Sequence, residues 1–173
     1  MRMCTLVLMM ALMLMGCKAQ DTFETVADTP AVQVLAPMQS AIYTLPQEAS
    51  LAVMGSEETG SVYLCDGYTV TVQTFPGGDL NRTICDTTGF SADDLTLMRT
   101  QQEGYDRVEC VWSAASEEGE QLGRMKLLDD GSYHYVITCM ASAADVPELQ
   151  PVWQELFDSF RIVSPEAALH IGS

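Results

Sequence analysis

His134 lies in a patterned segment, Tyr133-His-Tyr-Val-Ile-Thr138, and the other histidine, His170, lies in the last few residues. An imidazole does acid–base work when a serine, threonine or cysteine and an orienting acid stand beside it. No Gly-x-Ser-x-Gly elbow accompanies His134, so it reads as a strand histidine. Two acid pairs, Asp93-Asp94 and Asp129-Asp130-Gly131, could supply oxygens to calcium, but neither has the alternating Asp-x-Asp-x-Asp-Gly pattern. The second reads as a hairpin turn and the first as a polar loop. Glu117, Glu118 and Glu120 read as a solvated turn. Two carboxylates could also perform glycosidase chemistry, but sequence spacing does not set their separation. Gly77-Gly78 is a lone turn with no phosphate-loop pattern, and Asn81-Arg-Thr83 matches a glycosylation acceptor by chance. Tyr63, Tyr68, Tyr133, Tyr135, Trp112 and Trp153 could stack on a sugar, but their positions read as core. No catalytic, cofactor-binding or metal-binding residue is assigned, and no cofactor is expected.

Of six cysteines, Cys4 and Cys17 lie in the apolar N-terminal stretch or at its edge, leaving Cys65, Cys85, Cys110 and Cys139 at separations of 20, 25 and 29 residues. An even number suits disulfides in an exported domain, with three possible pairings. The absence of Cys-x-x-Cys removes the usual zinc and thioredoxin spacing. Cys65–Cys85 is the best local candidate, and could stabilise by ~3 kcal/mol. Four buried thiols are the alternative. A three-strand meander over residues 105–141 would hold Cys110 and Cys139 ~9.5 Å apart, beyond the ~7 Å that a disulfide spans.

The elements around these residues are mostly strands. Short apolar pieces fall at Ile42–Leu45 and Leu51–Met54. Asp66-Gly67 sits between Ser61–Cys65 and Tyr68–Phe75, the pattern of a tight hairpin. Alternation places Tyr63, Cys65, Tyr68, Val70 and Val72 on one face. Asp79 can cap a helix reaching Thr88, with Leu80, Ile84 and Cys85 inward and Gly89 ending it. Strands are predicted at 95–100, 105–114, 120–128 and 132–141. Along the second, Val108, Cys110 and Trp112 alternate against Arg107, Glu109 and Ser113, and along the third, Gly123, Met125 and Leu127 alternate against Arg124 and Lys126. Leu149, Val152, Trp153, Leu156, Phe157 and Phe160 have helical spacing. Asp145 and Glu148 have capping-box spacing, and Pro151 moves the expected helix start to Glu148, giving an amphipathic helix over 148–160. Residues 161–163 can form an edge strand. Several antiparallel strands with one early and one late helix predict an α+β fold, a sheet of about six strands covered by helices.

Residues 1–17 speak to location. Arg2 precedes an apolar run from Met3 to Met15, 13 residues long, too short to span a membrane, which takes ~20 residues. Leu14-Met15-Gly16-Cys17 resembles the lipobox of bacterial lipoproteins. That resemblance implies cleavage after Gly16 and a diacylglycerol on Cys17. Residues 1–16 are then a signal peptide, and 17–40 a lipidated N-terminus and flexible tether reaching roughly 25–30 Å. A single domain follows over 41–164, with a tail over 165–173. Cleavage removes Arg2 and no acid, so 8 basic and 24 acidic residues become 7 and 24, a net charge of −17. Such a chain does not suit nucleic acid, and attachment to the membrane rests on the Cys17 lipid. Lys18 follows the lipidated cysteine, which by the same resemblance favours the outer membrane in a host with two membranes.

Gly131-Ser-Tyr-His-Tyr-Val-Ile-Thr138, a polar gap, and then Trp153-Gln-Glu-Leu-Phe-Asp-Ser-Phe-Arg-Ile162 resemble the closing strand and helix of PsbP-like domains. The resemblance implies an α/β/α sandwich and carries no catalytic motif. The expectation is a membrane-anchored extracytoplasmic lipoprotein, a non-enzymatic binding or accessory module that meets an envelope protein or small ligand. Alternatives are an envelope hydrolase or thiol enzyme using His134 or a free cysteine, and a structural assembly factor.

Overall fold

A computed structural model describes residues 36–54, 60–102, 104–117 and 119–164. Its elements are β1 (Ser40–Ile42), β2 (Ser50–Met54), β3 (Ser61–Cys65), β4 (Tyr68–Pro76), α1 (Leu80–Thr88), a 3-10 turn (Ala92–Asp94), β5 (Met98–Gln102), β6 (Tyr105–Ser116), β7 (Gly119–Asp129), β8 (Tyr133–Ser142), α2 (Val146–Ser159) and β9 (Arg161–Val163). Seven strands form one antiparallel sheet in the order β2-β3-β4-β8-β7-β6-β5, and β1 pairs with β9 in a separate ribbon. The α+β expectation holds, with seven strands where about six were expected.

The turns follow from their residues. Gly67 takes φ 77°, and Cys65 faces Tyr68 across the two-residue turn, as Asp-Gly predicts. The Asp79 carboxylate accepts the Arg82 backbone N–H at 3.1 Å, and Gly89 ends α1 in the left-handed region. Asp129-Asp130-Gly131 is the hairpin turn between β7 and β8. Asp129 Oδ1 accepts from the Gly131 N–H at 2.8 Å, and Asp130 Oδ1 accepts from the N–H groups of Ser132 and Tyr133 at 2.9 and 2.8 Å.

The sheet carries apolar residues on both faces. On the first face, Val70, Ile137, Cys139 and Leu128 pack under Trp153 and Phe157 of α2. On the second, Val108, Trp112, Met125 and Val136 pack with Ile84 of α1. Residues 36–39 already bind the β7–β8 end, the Gln39 N–H donating to the Tyr135 hydroxyl at 2.8 Å. Leu95 and Leu97 pack against the second core ahead of β5, so that strand begins later than predicted.

Several local expectations are corrected. β1 lies at Ser40–Ile42 rather than 42–45. α2 begins at Val146 rather than Glu148, and Asp145, in helical geometry, makes no side-chain cap. Pro147 fills the first turn, where its missing N–H is harmless. Pro151 withholds a single hydrogen bond from the Pro147 carbonyl in the N-terminal half of the helix. Val152 is exposed rather than inward, and so is Cys85.

Gly123 faces Trp112 across the β6–β7 ladder. A Cβ added there would fall inside the indole, against Cζ2 and Cε2. The ring lies over the glycine and fills the place of its missing side chain. Gly123→Ala is therefore expected to destabilise by about 1–3 kcal/mol, read as a lower urea midpoint. Adding Trp112→Leu should reduce the loss caused by the alanine; purely additive effects would show that the two residues do not interact.

Candidate functional site

A seven-stranded sheet is wider than one helix. α2 packs over β4, β8 and β7 and leaves part of the first face of β6 and β5 open, around Val111 and Met98. There a trough runs beside α2, made of two adjoining hollows of about 530 and 400 Å³. Val111 and Arg124, directly opposite one another in the ladder, line both. On the α2 side the wall is Val146, Gln150, Pro151 and Gln154, over a floor that includes Leu122 and Trp153. On the β5 side stand Thr96 and Met98. Val111 is 53% exposed and Met98 54% exposed, so the floor is apolar yet open.

The charges of the trough form a cluster. Glu109, with its side chain 6% exposed, binds Arg107 through Oε1 and Arg124 through Oε2, the latter at 3.2 Å. Arg124 also donates to Gln154 Oε1 at 3.1 Å, and its guanidinium lies 4.6 Å from the centre of the Phe157 ring. These hydrogen bonds use two of its five N–H donors. Lys126 caps α2 from below: its ammonium donates to the carbonyls of Phe157 and Phe160 at 2.6 and 3.0 Å. The Phe157 carbonyl also accepts the Phe160 N–H at 3.3 Å, so Lys126 supplies a second donor at a helix end, where carbonyls are short of internal partners. Burial first, and then the charge of Arg107, hold the Lys126 ammonium below its ordinary pKa, while Glu109 and Asp158 oppose the shift. Three cations thus surround one carboxylate in a chain with 24 acidic and 8 basic residues. Sequence alternation set these residues opposite their apolar neighbours. It did not show that Lys126 would be buried under the end of α2, or Glu109 between Arg107 and Arg124, each to 5% exposure.

His134 is 1% exposed. Its Nδ1 lies 2.7 Å from the Thr83 hydroxyl of α1, and its Nε2 lies 3.5 Å from Asp129 Oδ2. A neutral ring protonated at Nε2 accepts the Thr83 hydroxyl hydrogen at Nδ1 and turns its own N–H toward the acid. The order hydroxyl–imidazole–carboxylate is that of a nucleophilic triad. However, a reacting carbonyl must come within about 3–3.5 Å of the hydroxyl, and Thr83 is 4% exposed. In this state the three groups fasten α1 to the sheet.

The four described cysteines are free thiols. Cys65 packs against the α2 core, while Cys85 is exposed on α1, across the sheet. The structure therefore does not join the Cys65–Cys85 pair suggested by sequence. Cys110 and Cys139 lie on opposite faces with β7 between their strands, which excludes that bond as the meander predicted. Burial, then the Glu109 carboxylate, pushes the Cys110 thiol up to about 11, and burial raises Cys139 further. Neither is a ready nucleophile. No group of three or more metal-ligating side chains occurs among the described residues. Asp93 and Asp94 lie in the 3-10 turn capped by Ser91. A larger hollow of about 650 Å³ lies at the opposite end of the sheet from the β7–β8 turn, lined by residues of the β3–β4 and β6–β7 turns. Glu117 is the charged residue lining it. Cys17 and His170 lie outside the described residues.

No protein-family model matches this chain, and no curated protein matches it in sequence. Solved structures match its shape. Cyanobacterial PsbP (CyanoP) from Synechocystis sp. PCC 6803 aligns with a TM-score of 0.55 at 8% identity, over 80% of this chain and 99% of that one. LpqN, involved in cell envelope biogenesis of Mycobacterium tuberculosis, aligns with a TM-score of 0.50 at 11% identity, over 74% of this chain and 86% of that one. A Bacteroides thetaiotaomicron protein gives a TM-score of 0.49 at 10% identity, over 73% of this chain and 46% of that one, so this chain spans less than half of that protein. At such identities the likeness is one of fold, and the fold is PsbP-like. Among the described residues, no helix is long and apolar enough to cross a membrane.

Proposed function

We propose that the protein is an extracytoplasmic lipoprotein, anchored through Cys17, whose PsbP-like domain is a non-enzymatic binding or accessory module of the cell envelope. The observation that carries the binding role is the open trough along α2, apolar in its floor and cationic at Arg124. The match in fold to LpqN, a protein of cell envelope biogenesis, agrees with an envelope setting. The Leu14–Cys17 pattern supports the anchor. Two acyl chains hold a protein at a membrane, because each buried CH₂ contributes about 0.8 kcal/mol.

Cys17→Ala tests the anchor. The wild-type chain is expected in the membrane fraction with an N-terminal mass that includes a diacylglycerol and lacks residues 1–16. The variant is expected to lose the lipid mass and membrane attachment. A variant that stays lipidated and membrane-bound would refute the anchor.

A further inference from the structure

The dimensions of the trough fit a specific object. Strands in a sheet are spaced about 4.8 Å apart, and packed helices lie about 8–10 Å from axis to axis. α2 lies over β8, and β6 is two strands away. A second helix packed beside α2 would therefore run along β6. The first-face residues of β6 there are Arg107, Glu109 and Val111, with Met98 beyond Glu109 on β5. On this side of α2 the covering layer stops one helix short.

The chemistry narrows the occupant. Small-molecule sites bury about 70–90% of their ligand, whereas Val111 and Met98 remain more than half exposed. An open floor of methionine, valine and arginine is the composition of a protein-docking patch. A second copy would bring its own large negative charge toward this chain. Arg124 has donors to spare at the junction of the two hollows, and Arg107 stands two same-face pairs away along the ladder. A carboxylate meets an arginine well in this setting.

We propose that this trough receives one amphipathic helix of an envelope protein. Its apolar stripe lies on Val111, Leu122 and Pro151, and an acidic residue engages Arg124. This rests on the accessory-module reading but not on the anchor, so it stands or falls separately from the Cys17→Ala result.

The test is photo-crosslinking in the native host with the full lipid-anchored chain. A photoreactive residue is placed at Val111 or at Met98, and a control at exposed Leu64 on the other sheet face. The expected result is capture of one partner segment at both test positions, well above the control. Mapped attachment points should be spaced by three, four or seven residues, with an aspartate or glutamate within one turn. Arg124→Glu should reduce the yield at least ~10-fold, about 1.4 kcal/mol in binding, and lysine at the mapped acid should restore it. Because Arg124 also holds Glu109, Val111→Asp provides a second variant, read from position 98 and expected to lose capture while its melting temperature stays near wild type. Crosslinks confined to lipid, to residues 18–35 of the chain itself or to a second copy would overturn the proposal. So would an extended segment with alternate-residue spacing, or yields equal to the Leu64 control.

Discussion

Trp153→Ala is expected to remove about 3–5 kcal/mol of stability, while Trp153→Phe should remove less than about 1.5 kcal/mol. Trp153 is 1% exposed and packs its ring 6.1 Å from that of Tyr68, under α2. The alanine variant loses the whole ring and leaves a cavity between helix and sheet that neither can collapse to fill. The phenylalanine variant loses volume but also removes a liability. The indole N–H is buried and finds no hydrogen-bond partner among the described residues. Such an orphan donor costs about 1–3 kcal/mol, which offsets much of the lost packing. For a protein with about 5–15 kcal/mol in total, the alanine loss is severe. Urea unfolding followed by far-UV circular dichroism gives both values with unchanged m. A loss well above about 1.5 kcal/mol in the phenylalanine variant would show that the indole N–H has a partner in solution.

The fold was largely legible, because its signals are local. Asp66-Gly67, Asp79 with Gly89, and the Leu149–Phe160 stripe each mark a turn, a helix or a face through neighbouring residues alone. β-strand period 2 also assigned Tyr68, Val70 and Val72 correctly to one face. The site was not legible for a related reason. Period 2 assigns residues to faces but does not say which part of a face another element will cover. Alternation set Arg107, Glu109, Arg124 and Lys126 opposite their apolar neighbours, but the helix end that covers Lys126 arrives from residues 146–159. Val152 failed in the opposite sense: helical spacing placed it in the stripe, but it falls at the margin of the contact. His134 shows the same limit, since its partner Thr83 is 51 residues away. The Cys65–Cys85 suggestion joined neighbours in sequence that the sheet separates.

The PsbP-like frame explains why the proposed binding role is placed in the trough. The sheet and two helices use their apolar residues in two cores, and the buried Thr83–His134 pair holds one layer to another. The strip beside α2 is a part of the first face that stays open. A fold shared with CyanoP and LpqN at 8% and 11% identity keeps its architecture while almost every side chain differs. The proposed binding role therefore rests on the residues of that strip, with Val111 and Arg124 at its centre.

Glu109→Gln tests whether the cluster under that strip is held by its single carboxylate. Glutamine keeps the shape but leaves Arg107, Arg124 and Lys126 without their shared counter-charge. Removing one partner from a buried ion pair costs about 3–5 kcal/mol. The Arg107 and Arg124 side chains retain 26% and 21% exposure and can relax toward water, so a loss near the lower end, about 3 kcal/mol, is expected. Arg107→Met added to Glu109→Gln should recover part of it by removing one of the repelling charges. The loss should also shrink as pH rises. Lys126 is a base whose folded pKa lies below its ordinary 10.5, and Glu109 opposes that shift. Without Glu109 the folded pKa falls further, so the unfolded chain holds the extra proton over a wider range below 10.5, and stability rises with pH across that range. Cys110 acts in the same direction. Its folded pKa is raised from 9.0 to about 11, partly by Glu109, and a raised thiol loses stability as pH climbs from 9 toward 11. Glu109→Gln lessens that loss. Denaturation of variant and wild type in parallel from neutral pH to 10 should therefore show the gap between them closing. A gap that is constant or widens with pH would mean that Glu109 does not set the electrostatics of the cluster.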